Sequence, residues 1–128
     1  IVMARDFTLT AYQKLLESAI HSGYKLTSYE DYIVNGQNYS KVFILRHDVD
    51  DLPNNSVDTA RIENQLGAKG SYYFRVVKKS LNPNCIEQIK QLGHEIGYHY
   101  EDMALNNGDY IRSYEHFKEK LNLFRTYI

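Results

Sequence analysis

Two short stretches concentrate the residue types that bind metals and move protons. The first, Val42-Phe43-Ile44-Leu45-Arg46-His47-Asp48-Val49-Asp50-Asp51, runs apolar and closes on one histidine and three acids. The second, Gly93-His94-Glu95-Ile96-Gly97-Tyr98-His99-Tyr100-Glu101-Asp102, also ends in ligand-type residues. Each reads as a parallel-sheet strand with its chemistry at the C-terminal end, where α/β folds place their sites. Side chains alternate along a strand, so Arg46, Asp48 and Asp50 share one face, with His47 and Val49 on the other. On the later strand Glu95, Gly97 and His99 share a face, and Glu101 continues it. With these faces together, Asp48, Asp50, His99 and Glu101 converge at one end. One imidazole with two or three carboxylates suits a divalent cation such as zinc, manganese, cobalt or iron. An acid left beside the cation serves as general base.

Blander roles compete for the same residues. Like charges as close as Asp48 and Asp50 cost energy unless a cation or Arg46 offsets them. Arg46 either pairs with the acids or contacts substrate. His47 is either a packed residue or a further ligand. Asp51 reads as a loop hydrogen-bonder or helix cap, and His94 as structural. His21 and His116 fall on helices and read as solvated. Tyr98 and Tyr100 are packing residues or sugar contacts.

The elements that must position these groups follow from periodicity. Helical spacing of Leu9, Tyr12, Leu15, Leu16, Ala19 and Ile20 predicts a helix over 7–22, capped by Thr8 or Thr10 and stopped by Gly23. A short strand over 24–27 and a short helix capped by Ser28 follow. The turn Asn35-Gly36 leads to the central strand, 41–47, and an irregular loop over 48–55. A helix over 56–66, a strand over 71–77, a helix around Ile86, Ile89 and Leu92, and a strand over 94–99 come next. After a polar loop over 103–108, the stripe Tyr110, Tyr114, Phe117, Leu121, Phe124 and Ile128 predicts a helix to the last residue. Strands alternating with helices predict an α/β fold of parallel strands, either part of a (β/α) barrel or a small open sheet.

Composition narrows the function classes. The 128 residues suffice for one domain with its own core. The net charge of −1, without a basic run, makes nucleic acid a poor partner. Cys85 is alone, which excludes an internal disulfide and a cysteine-rich zinc site. No apolar run spans a bilayer and no secretory pattern is visible, so a cytoplasmic chain is expected. The twelve tyrosines supply core, rim or sugar-stacking surface.

Leu45-Arg46-His47-Asp48-Val49-Asp50 with Gly93-His94-Glu95-Ile96-Gly97-Tyr98-His99 resembles the polysaccharide deacetylase family, the NodB-homology domain. That family carries Thr-Phe-Asp-Asp at a strand end. Its second motif is Gly-His-Glu-Ile, two residues, then His-Thr-x-x-His. Lys69-Gly70-Ser71-Tyr72-Tyr73-Phe74 resembles its second barrel strand. The resemblance runs from about Phe7 to the end. It implies a deformed (β/α) barrel and metal-dependent removal of acetyl groups from amino sugars or surface polysaccharide. Asp48 matches the catalytic base and His99 the first ligand histidine. Val49 stands where the family has its ligand aspartate, so Asp50 is the substitute. The second histidine falls at Met103, so Glu101 or His47 is the replacement ligand. Arg46 and Tyr98 are the candidate substrate contacts, and zinc is the expected cation, with cobalt, manganese or iron as alternatives. The chain resembles a divergent branch of the family, with Arg-His-Asp-Val-Asp paired with His-Glu-Ile-Gly-x-His and an acid two residues on.

Two other readings stand beside the deacetylase. One is a different metal-dependent amide hydrolase on the same barrel. The other is a non-catalytic carbohydrate-binding or interaction domain. The family's later strands and its last histidine have no counterpart here. The chain is therefore expected to be the N-terminal half of a barrel, with little activity alone and an open sheet edge for pairing with another copy.

Overall fold

A computed structural model describes residues 7–128. The fold is α/β, with parallel strands alternating with helices. Helix α1 (Leu9–His21) starts at Thr8, whose Oγ1 accepts from the Ala11 amide at 3.0 Å. It buries the stripe Leu16 and Ala19 with part of Tyr12, whereas Leu9, Leu15 and Ile20 are exposed. The apolar face is thus narrower than its composition predicts. Gly23 ends the helix with φ 85°, a left-handed conformation that costs glycine nothing.

Strand β1 (Lys25–Thr27) pairs in parallel with β2 (Val42–Ile44). Between them lies α2 (Tyr29–Asn35), capped by Ser28 as its sequence predicts. After Leu45 the chain continues as β3 (Arg46–Val49), which pairs in parallel with β4 (Ser71–Phe74), and β4 pairs with β5 (Glu95–Tyr98). Leu45 interrupts the ladder because it changes partners. Its amide donates to Thr27 O at 2.9 Å on one side, and its carbonyl accepts from the Ser71 amide at 2.8 Å on the other. The central strand therefore leans on β1 first and β4 afterwards. It extends to Val49, two residues beyond the expected end.

Helices α3 (Pro53–Gln65) and α4 (Pro83–Gln91) cover one face of the β3–β4–β5 sheet. Pro53 opens α3, earlier than the expected loop allowed, because proline is preorganised for the first helical turn. Val57 and Ala60 meet Ile86 and Ile89 over Tyr72 and Phe74, which are both fully buried. Burying such an aromatic side chain contributes about 2–3 kcal/mol. The expected polar loop after Tyr100 holds a short helix, α5 (Asp102–Leu105). Helix α6 (Tyr110–Arg125) begins at the Asp109 cap. Of its predicted stripe only Phe124 is fully buried; Tyr110 and Tyr114 are exposed. No helix among the described residues is long and apolar enough to cross a membrane.

Candidate functional site

The β3–β4 and β4–β5 registers set Asp48, Tyr73 and Gly97 in one rung of the sheet. All three lie on the face opposite α3 and α4. Beyond this rung the strand ends bring Asp48, Asp50 and His99 together, as alternation predicts. His99 Nε2 is 3.6 Å from Asp48 Oδ2 and 3.9 Å from Asp50 Oδ1. Asp48 Oδ1 is occupied by Arg46, whose Nε donates to it at 2.9 Å. The Arg46 guanidinium also stacks on Tyr73, 4.6 Å from the ring centre. Tyr73 in turn lies over Gly97, where an added Cβ would meet the ring at 2.5 Å. Arg46, though half exposed, thus touches Asp48 and Tyr73 together and orients the Asp48 carboxylate.

The turn leaving Asp50 is also constrained. Asp51 Oδ1 accepts from the Leu52 amide at 2.8 Å, which bears out its loop role. Leu52 itself is left-handed, with φ 50° and ψ 58°. For a residue with a branched side chain this conformation costs about 1–2 kcal/mol. Buried Ser80 ties the neighbouring strand ends together: its Oγ accepts from the Arg75 amide at 3.0 Å and donates to Val49 O.

The other expected site residues are placed differently. Glu101 points to Arg75, at 2.7 Å from Nη2 and 3.3 Å from Nε. His47 is a correction. It faces α3, on the far side of the sheet from His99, because it alternates with Asp48. Its Nε2 bonds Glu63 Oε1 and its ring stacks on Tyr72 at 4.4 Å. Tyr98 is a second correction. It packs between Phe117 and Phe124 of α6, and its hydroxyl donates to Asp102 Oδ2 at 3.3 Å. Burial, followed by the charge of Asp102, pushes its hydroxyl well above the usual range. His116, expected to be solvated, bonds the buried Asp102 through Nδ1.

Glu63 was not singled out by its sequence context, yet it organises the covered side. Its side chain is wholly buried and accepts from Tyr12 Oη at 2.6 Å, Tyr72 Oη at 2.9 Å and His47. Burial alone would raise its carboxyl pKa; the hydrogen bond and charge of His47, with the two tyrosines, outweigh that and hold it below the ordinary range. The clue was an acid at position 63 in the helical stripe begun by Val57 and Ala60. His94 is structural, as expected. Its Nδ1 accepts from the Gly70 amide at 3.0 Å, so Nε2 carries the proton and donates to Ala60 O at 2.8 Å. Its Nδ1 also lies 3.5 Å from Glu63 Oε2, but two acceptors face each other there and no hydrogen bond forms. Arg75 was missed as well, although it follows directly on the C-terminal end of β4 and the strand-end argument applies to it equally.

The donors at the strand ends fit a cation in kind. A first-row ion with bonds of about 2.0–2.2 Å separates its ligand atoms by about 3.4 Å at tetrahedral angles. The His99–Asp48 and His99–Asp50 separations are slightly wider. Among the described residues no group of three or more histidine, cysteine or acidic side chains is closed into a metal cage. Arg46 holds one oxygen of Asp48, and Arg75 holds Glu101 away. His99 Nδ1 is buried with no hydrogen-bond partner among the described residues. An unpaired buried group costs about 1–3 kcal/mol unless a water bonds it, and it is the other ring nitrogen, Nε2, that faces Asp48 and Asp50. Comparison with known proteins finds no matching family model, no matching curated protein and no matching solved structure.

Proposed function

We propose that this chain carries the cation-binding part of a hydrolase that removes acetyl groups from amino sugars or surface polysaccharide, on a (β/α) barrel of the polysaccharide deacetylase kind. The observation that carries the reading is the convergence of His99 Nε2 on Asp48 and Asp50 from non-adjacent strands. The exposed polar character of Arg46 and Asp48 on the face away from α3 and α4 supports a site there. A parallel sheet is normally covered on both faces, so further strands closing over this face would complete a barrel.

In this reading Asp50 and His99 hold the cation, with zinc the first choice. When bound, the cation supplies Lewis acidity to the acetyl carbonyl and to the attacking water. Asp48 takes the water's proton through Oδ2, the oxygen that Arg46 leaves free. Arg46, stacked on Tyr73, holds Asp48 in that orientation. The substrate side of the site is the exposed face around Arg46 and Tyr73.

Calorimetric titration with zinc tests the assignment on the parent protein and His99→Ala. Binding by the parent and none by the variant is expected; equal binding by both removes His99 from the site. A non-catalytic carbohydrate-binding module is favoured by one observation: Met103, at the family's second ligand position, is 42% exposed and offers no hard donor. Zinc-independent binding of an acetylated chitooligosaccharide would select that reading.

A further inference from the structure

A cavity of about 750 Å³ opens between α1 and α3, on the helix-covered side of the sheet. Small-molecule sites fall at about 300–1,000 Å³. Leu9, Ala11 and Leu15 of α1 give the cavity apolar walls, and Asp58 of α3 contributes a carboxylate. Two further polar side chains, Tyr12 and His47, line it from α1 and β3. Both are tied to Glu63, whose side chain is wholly buried. The His47 ring is held on two more sides, edge-on by Tyr12 at 6.0 Å and face-on by Tyr72 at 4.4 Å.

The hydrogen bonds fix what this wall can offer. A carboxylate oxygen only accepts, so Tyr12 Oη and His47 Nε2 both donate to Glu63. In the neutral imidazole Nδ1 is then the acceptor. His47 Nδ1 has no hydrogen-bond partner among the described residues, and it is not among the unpaired polar atoms shut off from solvent. A buried ionic network is often no more stable than apolar side chains of the same volume, so packing alone does not account for one at the wall of a cavity. We propose that this cavity binds a small, largely apolar molecule with a hydrogen-bond-donating head, such as a hydroxyl, which His47 Nδ1 accepts. Glu63 and Asp58 disfavour an anionic head. The inference does not rest on the cation-binding reading, because His47 lies on the far side of the sheet from His99.

Fluorescence titration with naphthol tests it, since the chain has no tryptophan to overlap the probe. Naphthol is expected to bind at least about fivefold more tightly than its methyl ether, which keeps the rings but lacks the donor. Naphthoate, with an anionic head, is expected to bind more weakly than naphthol. His47→Phe should erase the preference for naphthol over the ether. Ala11→Trp fills the groove without touching the Glu63 network, and should weaken both probes at least about tenfold. Circular dichroism confirms the fold of each variant, and Ala11→Trp with the probe pair decides the matter if His47→Phe does not fold. Equal binding of naphthol and its ether by the parent, binding of neither, or binding untouched by Ala11→Trp each overturns the proposal. A preference that survives in folded His47→Phe also overturns it, because the acceptor is then another group.

Discussion

His99 Nε2 stands 3.6 Å from Asp48 Oδ2, although β4 separates the strands that carry them. The two side chains meet beyond the rung occupied by Tyr73, whose ring leans over Gly97. The site therefore depends on a residue that has no side chain as much as on those that carry charge.

If Asp48 is the base, its removal separates turnover from metal binding. In an assembly that deacetylates an acetylated sugar, Asp48→Asn should lower kcat at least about 100-fold and leave zinc affinity within about threefold. Steady-state kinetics and calorimetry on the same preparation measure both. Loss of zinc together with turnover would make Asp48 a ligand.

Gly97→Ala should destabilise the protein by about 1–3 kcal/mol through overpacking against Tyr73. In an assembly that deacetylates, it should also lower turnover, since displaced Tyr73 no longer supports Arg46 and Asp48. Urea denaturation of Gly97→Ala, Tyr73→Ala and the double variant isolates the contact. The double variant should cost less than the two single changes added together. Strict additivity would show that the ring and the missing Cβ do not compete for space.

Glu63→Ala should cost about 3 kcal/mol or more, since it strips a buried ion-paired network and leaves Tyr12, Tyr72 and His47 without their acceptor. The urea midpoint should fall with little change in slope. Zinc affinity should stay near that of the parent, because Glu63 and His47 lie on the covered side of the sheet. A selective loss of zinc with stability intact would return His47 to the ligand set.

Acid should weaken the fold in two windows. Burial holds the His94 pKa below the ordinary histidine value, so the unfolded chain takes up its proton first. Stability is then complete above about pH 6.5 and falls as pH drops below it, by up to about 1.4 kcal/mol per unit. Glu63 is also depressed, which for a carboxyl favours the charged form. Its contribution is complete above about pH 4.3 and is lost as pH falls through its folded value. Urea midpoints from pH 8 to 3 test both. His94→Gln should flatten the upper window relative to the parent; parallel curves would show that His94 is not the group responsible.

The convergence of Asp48, Asp50 and His99 was legible because it needs only the period of a strand and a parallel pairing. The same reasoning was incomplete for the rest of the site. Glu101 follows His99 by two residues, but the chain turns into α5 there, and Arg75 from the neighbouring strand end takes its carboxylate. In the sequence His47 reads as a packed residue or a ligand, and Tyr98 as a packing residue or a sugar contact. Their parity along the strand places both on the helix-covered face, where Glu63 and α6 claim them.

By itself the sequence determined the alternation of strands and helices, the cap Ser28 with Thr8 as one of two choices at the first helix, and the face on which each strand residue lies. These are local properties, set by periods of about two and 3.6 residues and by side chains bonding amides three positions on. Tertiary structure alone decided which charged groups pair. Arg46 chooses Asp48, Arg75 chooses Glu101, and His116 chooses Asp102. It also decided how much of α6 is buried, since that depends on what packs against the helix. An ion pair forms where distance, burial and competing partners permit, and those quantities exist only once separate strands have been brought side by side.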